Sequence, residues 1–280
     1  MITEGAKAIR KVIQIALEDN DGALIGRNGS TELELMIDIE KPYFYQALTA
    51  NAGIFPITKI PLWQTASINA SQEADILATG WYQPLKMAEQ EALVKWKFRG
   101  IQVPLRSLEP YYVDPENQWT HLLSGHRVAV VSSFTETMKS QIPHLNEVWP
   151  KGLIPNDIEW SWIQTGHSPS VAKGINEWPS TVKSWSDAVD HVVSQVMDQG
   201  VRFALIGCGG LGMPIANALK QRGVIAIVLG GAIQLLFGIK GNRWKTHEII
   251  SGFWNDAWVW PSQQETPGNA KLVELGCYWR

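Results

Sequence analysis

FALIGCGGLGMPIANAL, residues 203–219, is an apolar run, a turn punctuated by glycines and an amphipathic continuation. That order predicts a strand, a tight turn and a helix, the construction that cradles phosphate at a helix N-terminus. Gly207, Gly209 and Gly212 give the spacing G-x-G-x-x-G, a weak signal for a dinucleotide site when it stands alone. The acid that binds ribose, expected about 20 residues further on, is missing, because VIAIVLGG ends in glycines. The turn also lies late in the chain, whereas the dinucleotide fingerprint normally occupies the first βα unit. No Gly-Lys-Ser/Thr follows, which excludes a Walker A loop. The other reading of these glycines is close packing of helix on strand.

Working outward, Gly230-Gly231 closes the next strand with a second tight turn. GIKGNRW (238–244) then supplies Lys240, Arg243 and Trp244, two cations to clamp phosphate and one ring to stack. Upstream, SWSDAVDHVVSQVMDQG is an amphipathic helix with Ser184 or Ser186 as its cap. HRVAVVSSF (126–134) is a buried strand running into a helix, and residues from there to about 180 read as irregular. Near the start, residues 3–18 place Ile9, Val12, Ile13, Ala16 and Leu17 on one helical face. Asp19-Asn20-Asp21 stops that helix, ALIGR (23–27) is a short strand, and NGSTELELM turns into another helix. DILATG (75–80) reads as a further short strand.

Strands alternating with helices predict an α/β, Rossmann-like domain with a largely parallel sheet and helices on both faces. It is read as a single domain of 1–280, with lobes of about 1–120 and 121–280 around a cleft. Ligands of such sheets bind outside the carboxyl ends of the strands. A net charge of −3 without a Lys/Arg block argues against a nucleic-acid partner. The two cysteines form neither a metal-ligand spacing nor a disulfide framework, which fits a reducing cytosol. The apolar stretch 223–239 is interrupted by glycines and a glutamine, so a buried strand and turn is expected rather than a membrane span. Trp is twice as frequent as Phe, 14 against 7, and Trp faces suit sugar rings as well as cores.

Several segments together resemble glycosyltransferases of the GT-D type, which occur in bacterial polysaccharide biosynthesis and in large viruses. These are ALIGRNGSTELELM, NAGIFP, LEPYY, SGHRVAVVSSFTETMKSQ, the long glycine-bearing segment from Leu205 to Gly238, GNRW and the closing CYW. The resemblance implies a nucleotide-sugar donor across the carboxyl edge of the sheet and transfer to a hydroxyl of a glycan or glycoprotein. UDP-sugars, a pentose such as xylose among them, are the donors it favours; NAD is not expected. Donor contacts are placed on Arg27, Asn28, Gly29, Thr31, Ser133, Glu136, Gly207, Gly209, Gly210, Gly230, Gly231, Arg243 and Trp244. Trp81 and Tyr82 are the acceptor platform.

The chain departs from that family at one telling place. An Asp-x-Glu triplet after the first strand serves the metal-bound diphosphate there, and here it reads Ser30-Thr31-Glu32. Glu32 is the one acid left to hold Mn or Mg at that turn. Metal-free transfer, with Arg243, Lys240 and helix N-termini neutralising the diphosphate, stands as the alternative. The base that takes the acceptor proton is sought in Glu32 or Asp75. Two other classes remain open: an NAD(P)-dependent oxidoreductase or epimerase on the glycine spacing, and a carbohydrate-binding module on the tryptophans.

Overall fold

The computed structural model describes residues 1–174 and 176–280. Seven parallel strands form one sheet: β1 (Ala23–Arg27), β2 (Ile76–Ala78), β3 (Ile101–Val103), β4 (Arg127–Ser132), β5 (Glu159–Gln164), β6 (Phe203–Gly207) and β7 (Ile225–Val228). Their order is β3-β2-β1-β7-β6-β4-β5. The chain is therefore α/β with a fully parallel, Rossmann-like sheet. β1 pairs with β7, so one sheet runs through both of the segments, about 1–120 and 121–280, that were expected as lobes. Among the described residues no helix is long and apolar enough to cross a membrane.

The central strands are buried on both faces, as expected of a parallel sheet covered by its crossover segments. Ile76, Ile25, Ile227, Leu205 and Val130 line up across four strand pairs and face one layer of the core. Helix Ile2–Glu18 covers that layer with Ile9, Ile13 and Ala16, and ends where Asn20 takes a left-handed φ of 52°. On the other face Ala226, Ala204 and Ala129 make a flat row. Helices Ile60–Gln72, Trp185–Asp198 and Gly212–Lys220 bury Trp63, Val192 and Ile215 in the core on that side. Ser184 caps its helix by accepting the Asp187 N–H.

The strand ends position the site. After β1 and β6 the chain turns toward the layer that holds Leu35, Met36 and Ile215. After β4 and β7 it turns to the opposite layer, with Met138, Ile233 and Leu236. Neighbours β1/β7, β7/β6 and β6/β4 thus send their continuations apart, and each divergence opens a crevice at the carboxyl edge. β5 lies in the region expected to be irregular. The last forty residues carry only short 3-10 turns, and they return along this edge.

Candidate functional site

A cavity of about 430 Å³ occupies those crevices, within the range that takes a small-molecule ligand. Its walls come from the turns after β1, β2, β4, β5, β6 and β7 and from the C-terminal tail. Of the residues expected to bind donor or acceptor, Arg27, Gly29, Thr31, Glu32, Trp81, Tyr82, Ser133, Gly207, Gly209, Gly230, Gly231 and Arg243 all line it.

Asp75 does not. It precedes β2, so the parallel sheet puts it at the amino edge, opposite the cavity. There it accepts the Leu24 N–H at 2.8 Å and pairs with Lys220 at 2.8 Å, a structural clamp rather than a base. Asn28 is buried and donates to Ser71 Oγ at 3.1 Å, away from the cavity. Glu136 is exposed outside the cavity, because the N-terminus of its helix is already taken by the Glu265 carboxylate. Gly210 faces Ala52 and Ile54 and gives its carbonyl to Trp63 Nε1. Trp244 is core, packed with Val148, Leu235, Ile250 and Trp258.

The opening glycines also acquire a plainer role. A Cβ at Gly207 would lie 2.4 Å from Ile233 Cγ2, at Gly209 2.8 Å from the Ala52 carbonyl, and at Gly212 2.9 Å from Val228 Cγ1. Their close approach is to protein, so the spacing of a dinucleotide fingerprint arises here from packing. Gly207 and Gly209 nonetheless bring backbone to the cavity wall. Cys208 between them is half-buried on the cavity wall, its thiol pushed up to about 12 by desolvation and so no thiolate nucleophile.

Charge is concentrated on one side. The Arg27 guanidinium lies 4.4 Å from the Trp81 ring centroid, and its Nη1 sits beside Gly230. Arg243 donates to Tyr278 Oη at 2.6 Å and pairs with Glu274 at 3.5 Å. The Glu32 carboxylate folds back over Gly29, where a Cβ would be 2.1 Å from Oε2. A side chain at that cap would make the Glu32 carboxylate shift. Burial raises the pKa of Glu32, offset by the bond to its own N–H and by Arg27. Among the described residues no three His, Cys, Asp or Glu side chains converge. The residues present thus do not fit a metal site of their own.

The rest of the polar lining is neutral. Ser133, Thr165, Ser168, His167 and Gln234 belong to it, and burial brings His167 down to about 4, leaving an uncharged imidazole at neutral pH. Four lining side chains hold buried polar atoms with no partner: Arg27 Nε, Trp81 Nε1, His167 Nε2 and Gln234 Oε1. Buried polar groups are nearly always hydrogen-bonded, so such a cluster marks the seat of a polar ligand or its water.

The sequence did not point to Glu274, Tyr278, Trp279, His167 or Gln234. The first three come from the tail, for which only the closing CYW gave a hint. His167 belongs to GHSPS (166–170), a segment that reads more readily as a plain surface turn than as a sugar-binding loop.

Glu109, in the LEPYY segment, feels Arg27, Arg106 and Arg243 and is nonetheless pushed up to about 7 by burial. A carboxyl with a raised folded-state pKa stabilises the fold most below its unfolded value of 4.5. That contribution is lost as pH rises through 7. Glu109→Gln is therefore expected to be more stable than wild type by about 2 kcal/mol near pH 8, the difference vanishing near pH 4. Urea denaturation at the two pH values measures it, and a difference independent of pH would reject the assignment.

No family model, curated protein or solved structure matches the chain. The functional reading rests on the geometry of the cavity.

Proposed function

We propose that the chain is a glycosyltransferase. It takes a nucleoside-diphosphate sugar, a UDP-sugar foremost, and passes the sugar to a hydroxyl of a glycan or glycoprotein acceptor. One observation carries the reading: a single carboxyl-edge cavity joins two arginines, an acid of raised pKa and a neutral, hydroxyl-rich wall. The diphosphate is assigned to the Arg27–Arg243 side, where guanidinium forks match phosphate oxygens. As the bond from the anomeric carbon to the phosphate oxygen breaks, its electron pair leaves on the diphosphate. Arg27 and Arg243 stabilise that charge in a partly water-excluded site. The acceptor oxygen bonds the anomeric carbon, and its proton goes to Glu32, whose pKa burial raises and whose carboxylate is thereby made more basic. Trp81 and Tyr82 offer flat faces to the acceptor.

Nothing on the cavity wall favours NAD over this reading. β7 ends in Leu229-Gly230-Gly231, with no acid for a ribose hydroxyl. The tryptophan content that suggested a binding module goes largely into packing. Trp63 and Trp119 are fully buried, Trp160 and Trp162 stack on each other and meet Phe237 edge-on, and Trp81 and Trp279 are the two that line the cavity among the described residues.

The test is a thermal shift with UDP, GDP and NAD, followed by nucleotide release from a panel of UDP-sugars. UDP is expected to raise the midpoint by several degrees at 100 times its Kd, equivalent to about 2.7 kcal/mol. A shift with NAD alone, or binding without any sugar release or transfer, would overturn the reading.

A further inference from the structure

Gln234 stands just after the Gly230-Gly231 turn, is fully buried and lines the cavity. Its Nε2 donates to the Tyr278 carbonyl at 3.2 Å. A carbonyl oxygen only accepts, so this bond fixes which end of the amide is nitrogen. Oε1 is therefore held with no partner of its own, a buried acceptor with its orientation already set. Leaving such an acceptor unpaired is costly, and a group that donates to it recovers that cost on binding. A phosphate oxygen has no proton to give at neutral pH and is repelled by it. The partner must be an uncharged hydroxyl or N–H.

The neighbours agree. Ser133, Thr165, Ser168 and the neutral His167 add donors and acceptors without formal charge to the same cavity, while Arg243 bonds the hydroxyl of the Tyr278 whose carbonyl Gln234 holds, and Arg27 Nη1 lies beside Gly230. We propose that Gln234 is a specificity-determining residue whose Oε1 accepts a hydrogen bond from an uncharged hydroxyl or N–H of the nucleotide-sugar. This rests on the glycosyltransferase reading.

Gln234→Met keeps the length and removes the acceptor. Calorimetry with UDP and UDP-glucose is expected to show about tenfold weaker binding by the variant, its thermal midpoint without nucleotide being close to wild type. Loss with both probes places the contact on the nucleoside; loss with UDP-glucose alone places it on the sugar. Unchanged affinity for both overturns the inference and leaves the glycosyltransferase reading standing. If wild type binds no nucleotide or nucleotide-sugar, that reading falls and the inference with it. Should the variant fail to fold, wild type is tested with 2′-deoxy-UDP, N3-methyl-UDP and UDP-sugars in which each hydroxyl of UDP-glucose is removed in turn. A loss of about tenfold with at least one is expected, and equal binding of all of them overturns the proposal.

Discussion

Alanine in place of Arg27 is expected to weaken UDP binding about 100-fold, with the thermal midpoint of the free protein nearly unchanged. Three observations set that size. The guanidinium lies against Trp81 at 4.4 Å, which fixes its plane and lowers the entropy lost when it grips an anion. Its Nε has no partner in the protein, so donor capacity is held for a ligand. It also opposes the raised pKa of Glu32, Glu89 and Glu109, so its field reaches well beyond its own contacts. Lysine restores the charge but neither the fork nor the stacking, and about tenfold should remain missing. Arg243→Ala is expected to cost less, about tenfold, because Glu274 at 3.5 Å already offsets part of its charge. Titration calorimetry with UDP checks all three variants. Wild-type affinity in Arg27→Ala would remove the diphosphate from this side of the cavity.

The edge that carries Arg27 was legible in the sequence because buried parallel strands are short apolar runs. ALIGR, RVAVVS, FALIG and IAIV each announce themselves that way, with turn residues behind them. β5 was not legible. It is an edge strand, EWSWIQ, in which Ile163 alone is fully buried, and without an apolar run its Trp residues resemble loop. Strand direction separates two of the three acids expected at the site, while Glu136 follows a strand and still stays outside because Glu265 occupies its helix start. Glu32 follows a strand and reaches the cavity, whereas Asp75 precedes one and is carried to the far edge. Reading that polarity from the order of residues alone would have separated them. Glu274, Tyr278 and Trp279 needed the tail to be folded back over the sheet, a placement set by scattered tertiary bonds that leave no local pattern. Gln234 was hidden for another reason. Within an apolar stretch a glutamine looks like an interruption, and its use depends on one bond to a carbonyl forty-four residues away.

Among the bonds that hold the tail, Glu265 is the buried charged anchor, and Glu265→Ala is expected to cost about 3–5 kcal/mol of folding stability. Glu265 is 2% exposed, and no Lys or Arg pairs with it among the described residues. Its carboxylate instead accepts the Glu136 N–H at 2.8 Å, the Thr137 N–H at 3.2 Å, the Thr137 hydroxyl and the Ser262 hydroxyl at 3.1 Å. It thus caps helix Thr135–Gln141 from 128 residues downstream, the favourable place for negative charge on a helix. Alanine strands two backbone donors in the interior and leaves a void, and the hydroxyls can only partly turn toward each other. Glutamine should be nearly as harmful, since its NH2 group would face donors. The Glu265 carbonyl also accepts Trp279 Nε1 at 2.9 Å, so slackening this anchor frees the ring that walls the cavity beside Phe134 and His167. Urea denaturation of Glu265→Ala and Glu265→Gln measures the loss of stability, and UDP affinity in the folded fraction should fall with it. Stability within about 1 kcal/mol of wild type for both variants would show that the tail is held elsewhere.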